Sequence, residues 1–267
     1  MKCDAILWSE DHGSARWISI LAGLFLAAFA LAGTASATPS PVVITFDDGG
    51  YVHGSVINSA TSAGGGQSIR LGANNRQKDF NYAVTFDSEI QGTTGDPDLQ
   101  APWSGGNLQD EDLGLVLIIQ ANDEGCETGV CSNPVAEPGI PAGNFTFFLD
   151  TPASSFGLDL IDVAEGEDGF IRLYPEDNWG GFVDIDFKDL LAGLDLGINY
   201  ANRITPLSAE DLGLEQISRV GVKFYESGAV DNLTFVPIPE PTTAILVGGG
   251  LVAFGLAQRA RRTLNTH

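Results

Sequence analysis

Period two is the pattern that most constrains this sequence. In Phe182-Val183-Asp184-Ile185-Asp186-Phe187 the apolar residues Val183, Ile185 and Phe187 fall on one side and two aspartates on the other. Val220, Val222 and Phe224 alternate in the same way with Gly221 and Lys223. Such alternation gives a strand one dry face and one wet face, the signature of antiparallel sheets packed as a sandwich. About ten runs of this kind, separated by Gly, Asp and Asn, span 42–46, 68–71, 82–86, 114–120, 144–149, 155–163, 170–174, 182–187, 220–225 and 230–236. The run 114–120 is apolar throughout and reads as a central buried strand. Helical turns are expected only within 188–196 and 208–217, the second starting at Ser208-Ala209-Glu210-Asp211. Two long connections, 90–112 and 121–143, are functional or mobile by their length. The expected class is all-β, an antiparallel β-sandwich.

Different segments flank this domain. At the N-terminus, Lys2 and Arg16 precede an apolar run over 17–32, which leads into Ala35-Ser36-Ala37. Small residues at Ala35 and Ala37 match a signal-peptide cleavage site, so 1–37 is expected to be a signal peptide; the competing reading is an uncleaved anchor. At the other end, Pro237, Pro239 and Pro241 hold the chain extended around Glu240. An uncharged span of 16 residues, 242–257, follows and is just short of the roughly 17 that cross a bilayer. Arg259, Arg261 and Arg262 then meet the positive-inside rule. Pro239-Glu240-Pro241, the apolar span and the arginines, in that order, resemble the PEP-CTERM sorting signal. That resemblance implies a C-terminal transmembrane anchor helix, processing by a membrane-embedded exosortase as partner, and display at the cell surface or release outside the cell. A plain membrane anchor is the competing reading. The expected organisation is 1–37 signal peptide, 38–235 β-sandwich ectodomain and 236–267 sorting signal.

Charge narrows the partners. Of 35 acidic and 13 basic residues, 31 acidic and 8 basic lie within 38–238, a net charge of −23. Such a surface repels nucleic acid and attracts divalent cations, and it also serves plain solubility. Once the leader is removed Cys3 goes with it, leaving Cys126 and Cys131 as a pair in an oxidising compartment. Zinc would need two more ligands, and His53 is the only histidine of the domain, so a disulfide is expected. Calcium needs clustered oxygen ligands. The acidic candidates are Asp47-Asp48, Asp96 with Asp98, Asp110-Glu111-Asp112, and Glu165 with Glu167 and Asp168; the bland alternative for each is an Asx-turn or a charged edge.

Phe86-Asp87-Ser88, Thr93 to Leu99, 114–119, 145–152 with 158–163, and the closing Val230-Asp231-Asn232-Leu233-Thr234-Phe235 resemble the jelly-roll ectodomains found ahead of PEP-CTERM tails. In jelly-roll carbohydrate-binding modules a structural calcium often sits between an acidic residue near the first strand and an aspartate on the last. The resemblance therefore points to Asp47 and Asp231, with Asp96 and Asp98 behind them, as metal ligands. For weak glycan binding the expected platforms are Trp103 and Trp179, with Tyr51, Tyr174 and Tyr200 near turns; for both tryptophans the alternative is core capping. No catalytic constellation is found: His53 has no Ser/Asp pattern around it and no G-x-S-x-G occurs. The expectation is a non-enzymatic exported protein, structural or adhesive, contacting extracellular polysaccharide. The alternative is a secreted glycoside hydrolase on a jelly-roll fold.

Overall fold

The computed structural model describes residues 39–65, 67–90, 96–136, 139–163, 168–176 and 181–238. Pro39–Ile238 form one compact unit. The expected signal peptide 1–37, the sorting residues Pro239, Glu240, Pro241, Arg259, Arg261 and Arg262, and Trp179 lie outside the described residues. No helix among the described residues is long and apolar enough to cross a membrane.

The fold is all-β, and its strands pair antiparallel. Its strands are β1 (Val42–Ile44), β2 (Ser59–Thr61), β3 (Ser68–Asn75), β4 (Ala83–Asp87), β5 (Leu115–Ile119), β6 (Gly143–Ile161), β7 (Phe170–Tyr174), β8 (Val183–Asp186), β9 (Ala201–Arg203), β10 (Leu207–Ser208), β11 (Ile217–Phe224) and β12 (Ala229–Pro237). Among the described residues the one α-helical turn is Phe187–Leu190.

Strand β6 organises the rest. The sequence suggests two strands, 144–149 and 155–163, on either side of Pro152. The structure instead runs one 19-residue strand through that proline. Residues 143–149 pair with β3 on one side and β11 on the other. Residues 153–161 pair with β12 on one side and with β9 and β10 on the other. Pro152 has no N–H to donate, so it interrupts the ladder where the strand changes partners. Its carbonyl still accepts the Ile238 N–H at 2.7 Å, and the pairings of β11 and β12 shift register beside it.

Two half-sheets result. One is β2–β3–β6–β11–β7–β8; the other is β4–β5–β12–β6 with β9 and β10, and β1 joined to β12. Their inner faces meet in one core. Ile69, Leu71, Phe145, Phe147, Ile171, Leu173, Val220, Val222 and Phe224 come from the first half, and Ile44, Leu117, Phe156, Leu158, Leu160, Leu233 and Phe235 from the second. The arrangement is sandwich-like, with β6 continuous through both layers.

The second half-sheet is buried on both faces, which explains why β5, Leu115 to Ile119, shows no alternation. Its outer face, built from Val84, Phe86, Val116, Ile118, Ile161 and Ala229, packs against Leu99, Trp103, Leu108, Leu113 and Ala136. The described residues of the two long connections therefore form an apolar cover. Side-chain amides fasten it. Asn199 Nδ2 donates to the carbonyls of Asp98 and Gln100 at 3.0 and 2.7 Å, and Gln120 receives the Val135 N–H and donates to the Asn133 carbonyl. The Cys126–Cys131 disulfide lies in the same cover, with both cysteines buried.

Candidate functional site: the carboxylate fork

Strand β12 meets two neighbours along one edge. Ala229 and Val230 pair with Ile118 and Leu117 of β5, whereas Leu233 to Phe235 pair with Ile44 to Val42 of β1. Between them the strand bulges, and Asn232 takes a positive φ of 48°. Asparagine tolerates that left-handed backbone better than most residues. Asp47, just beyond β1, closes the fork: its Oδ1 accepts the N–H of Leu115, the first residue of β5, at 2.8 Å. Gly114 makes this approach feasible. Its φ is +59°, and a Cβ there would stand 2.4 Å from Asp47 Oδ1.

Asp231 lies on β12 at this junction, opposite Asp159 of β6. It is 1% exposed, and its Oδ1 has no hydrogen-bond partner among the described residues. Burial pushes its carboxyl well above the usual range, and the carboxylates of Asp159 and Asp47 push it further. The two aspartates singled out by the sequence resemblance are thus electrostatic neighbours, one exposed and one buried.

Asp159 differs from Asp231 in being fully engaged. Arg203 Nε and Nη2 donate to its two oxygens at 2.9 Å each, and Asn232 Nδ2 donates to Oδ2 at 2.8 Å. Burial raises the Asp159 carboxyl even so, while the carboxylate raises the Arg203 guanidinium in turn. The forked geometry and Asn232 oppose that rise, because both of its oxygens face N–H donors. Arg203 reaches Glu111 at 3.0 Å as well, and Asn107 pairs with the Arg203 backbone through both ends of its amide.

Outside the fork, Asp47, Asp87, Glu89 and Asp112 line a shallow pocket of about 290 Å³. Their shared charge draws cations toward Asp47. Among the described residues no three His, Cys, Asp or Glu side chains converge closely enough to hold a metal ion. Asp47 and Asp231 would supply two carboxylates, and carbonyl or water oxygens would have to complete a hard-cation shell.

The other expected residues lie elsewhere. Asp96 is buried and its Oδ2 accepts the Ala136 N–H, tying one covering loop to the other. Asp98 sits in the short helical turn Pro97–Leu99 and offers its carbonyl to Asn199. Neither is among the charges that act on Asp231. Trp103 is corrected as a glycan platform: it is 2% exposed in the outer apolar cluster, and its indole N–H donates to the Glu111 carbonyl at 3.0 Å. The sequence could not separate a loop tryptophan that faces water from one that the loop folds under. His53 accepts the Asp87 N–H at Nδ1 (3.0 Å), and burial lowers its pKa.

Sequence reasoning missed Asp159 and Arg203, which are 44 residues apart and meet only through the β6–β9 ladder. Asp159 at the centre of the run 156–161, apolar on both sides of it, was the one available signal. No family model matches the chain, and no curated protein matches it.

Proposed function

We propose that this is an exported structural or adhesive domain of jelly-roll type, delivered by the signal peptide 1–37 and processed at 236–267 by an exosortase. In this reading a calcium ion bridges Asp47 and Asp231 and locks β1, β5 and β12 together. The observation that carries it is the buried, unpartnered Oδ1 of Asp231 beside the Asp47 carboxylate. Burial holds Asp231 toward its neutral form, and a divalent cation is the partner that would let a fork with two carboxylates ionise there. The Cys126–Cys131 disulfide supports an oxidising destination. Weak contact with extracellular polysaccharide completes the adhesive role.

Thermal unfolding of the full chain in mild detergent, with calcium and then with chelator, tests the reading. Calcium should raise the Tm, and Asp231→Asn should abolish that rise. An equal Tm in both conditions would remove calcium from the account.

A further inference from the structure

Cations are scarce in this domain, and they are not scattered. Arg70, Arg172, Arg219 and Lys223 occupy outward positions on β3, β7 and β11, and Arg76 follows β3; these are five of the eight basic residues in 38–238. The registers that bury Phe145, Phe147, Val220 and Val222 fix what lies on the other face. Arg70, Phe148, Arg219 and Tyr174 form one rung across β3, β6, β11 and β7. Gly72, Thr146, Gly221 and Arg172 form the next, and Asn74, Asn144, Lys223 and Phe170 the third.

The middle rung is the informative one. A Cβ on Gly72 would meet nothing within 4 Å, and one on Gly221 would make only ordinary contacts. Neither residue has a positive φ, so neither backbone nor packing requires glycine there. A glycine inside a strand weakens it, and a common reason to keep one is the close approach of a ligand. The result is a trough of about 580 Å³ with no Asp or Glu in its lining. Its charged walls are Arg76, Arg172 and Lys223, and its rings are Phe148, Phe170 and Tyr174.

The rings and cations are interleaved. Arg70 lies 4.9 Å over Phe148, Lys223 lies 5.1 Å from the Phe170 centroid, and Arg172 stacks at 3.8 Å on Phe182. Asp184 holds the Arg172 guanidinium in a two-point contact, which fixes its plane. Among the described residues Arg76 and Lys223 form no ion pair, although acidic residues outnumber basic ones nearly four to one in 38–238.

We propose that this trough binds an acidic oligosaccharide, a stretch of polysaccharide carrying carboxylates on its sugar rings. Arg76 and Lys223 take the carboxylates, Phe148 and Phe170 meet the C–H faces of the rings, and Asn74, Asn144 and Thr146 meet hydroxyls. The volume lies within the roughly 300–1,000 Å³ of ligand sites and is far larger than a single anion needs. Four strands at about 4.8 Å spacing give a floor roughly 15 Å across, enough for several rings. The floor itself offers a peptide no free strand edge, because β6, β11 and β7 are paired on both sides; β3 is paired with β2 only at Ser68 to Arg70. A nucleic acid's dense phosphates would need more cations at once than the lining supplies, whereas an acidic sugar carries one charge per ring. This inference adds a ligand class to the adhesive reading and does not depend on calcium.

The test is calorimetric titration of the full chain in detergent with tetragalacturonate, and separately with neutral cellotetraose, both in chelator so that calcium cannot bridge. Saturable binding of tetragalacturonate alone is expected, weakening as salt is raised. The double variant R76Q/K223Q should weaken it about tenfold or more, since two charge-assisted contacts are lost. Gly72→Trp should block binding while leaving the Tm unchanged, which separates a filled trough from a misfolded chain. Equal binding of cellotetraose, no saturable binding, or insensitivity to both variants overturns the proposal. Displacement by single-stranded DNA, or a salt-sensitive dimer lost in K223Q, also overturns it by assigning the trough another occupant. Because chelator is present throughout, a calcium-independent Tm would sink only the calcium reading.

Discussion

The two half-sheets share one core yet treat their outer faces in opposite ways. Outside β4, β5 and β12 the chain lays down Leu99, Trp103, Leu108, Leu113 and a disulfide, so that face is dry. Outside β3, β6, β11 and β7 it places Arg70, Phe148, Arg172, Lys223 and two glycines, and that face is a trough. The capped face can hold apolar residues on consecutive positions; the uncapped one must alternate. The charges are divided too. Carboxylates gather at the β1–β5–β12 fork, where one is buried with an unpartnered Oδ1, whereas the trough concentrates cations. A cost in stability without a packing reason marks the fork, and a deletion of side chains without a conformational reason marks the trough.

Breaking the fork should have the largest effect. Asp159→Ala leaves the Arg203 guanidinium with only Glu111 and orphans Asn232, and it should cost about 2–3 kcal/mol in denaturant unfolding, less than a fully buried pair because Arg203 stays half in water. Next comes the cover. Replacing Cys126 and Cys131 together by Ala should cost about 2 kcal/mol, because the closed loop is short. The trough should keep its shape in that variant, so binding there should survive.

Asp231→Asn should act in the other direction. In chelator, at a pH high enough to ionise Asp231, it should raise stability by about 1–2 kcal/mol, since a buried carboxylate whose Oδ1 has no partner becomes a neutral amide. A loss of stability instead would mean that the ionised group has a partner the fork geometry does not reveal. At the trough, Gly72→Ala should change stability by no more than about 0.5 kcal/mol, because the new methyl enters open space. A large loss would show that the two outer faces are less different than they look.

The smallest effect belongs to His53. Its folded pKa lies below the ordinary value near 6.5, so the unfolded chain takes up the proton first. Stability from this residue is complete above that pH, falls as pH drops through it, and stops falling below the folded pKa. His53→Asn, which keeps an acceptor for the Asp87 N–H, should flatten the pH dependence between about 7 and 5.

Residues 220–224 and 170–174 could be read as strands directly, because alternation reports one dry face whatever the partner. The edges β2, β9 and β10 could not: Ser59–Thr61 and Ala201–Arg203 are too short and polar to alternate, and only their neighbours order them. Placing Asp47 near Asp231 rested on strand order, and the β1–β12 ladder brings them to one fork. Asp96 and Asp98 had the same composition signal but face the loop cover, where backbone N–H and amide groups engage them.

Local pattern thus determined the all-β class, most strands, the disulfide and the surplus of carboxylates. These follow from side-chain alternation, cysteine count and charge, none of which needs a partner strand. Which face stayed open was decided by tertiary structure. So were the passage of β6 through Pro152 between layers, the burial of Trp103, and the gathering of rare cations into one trough. Each depends on what lies across a ladder or over a sheet, and pairing brings together residues 40 to 100 positions apart.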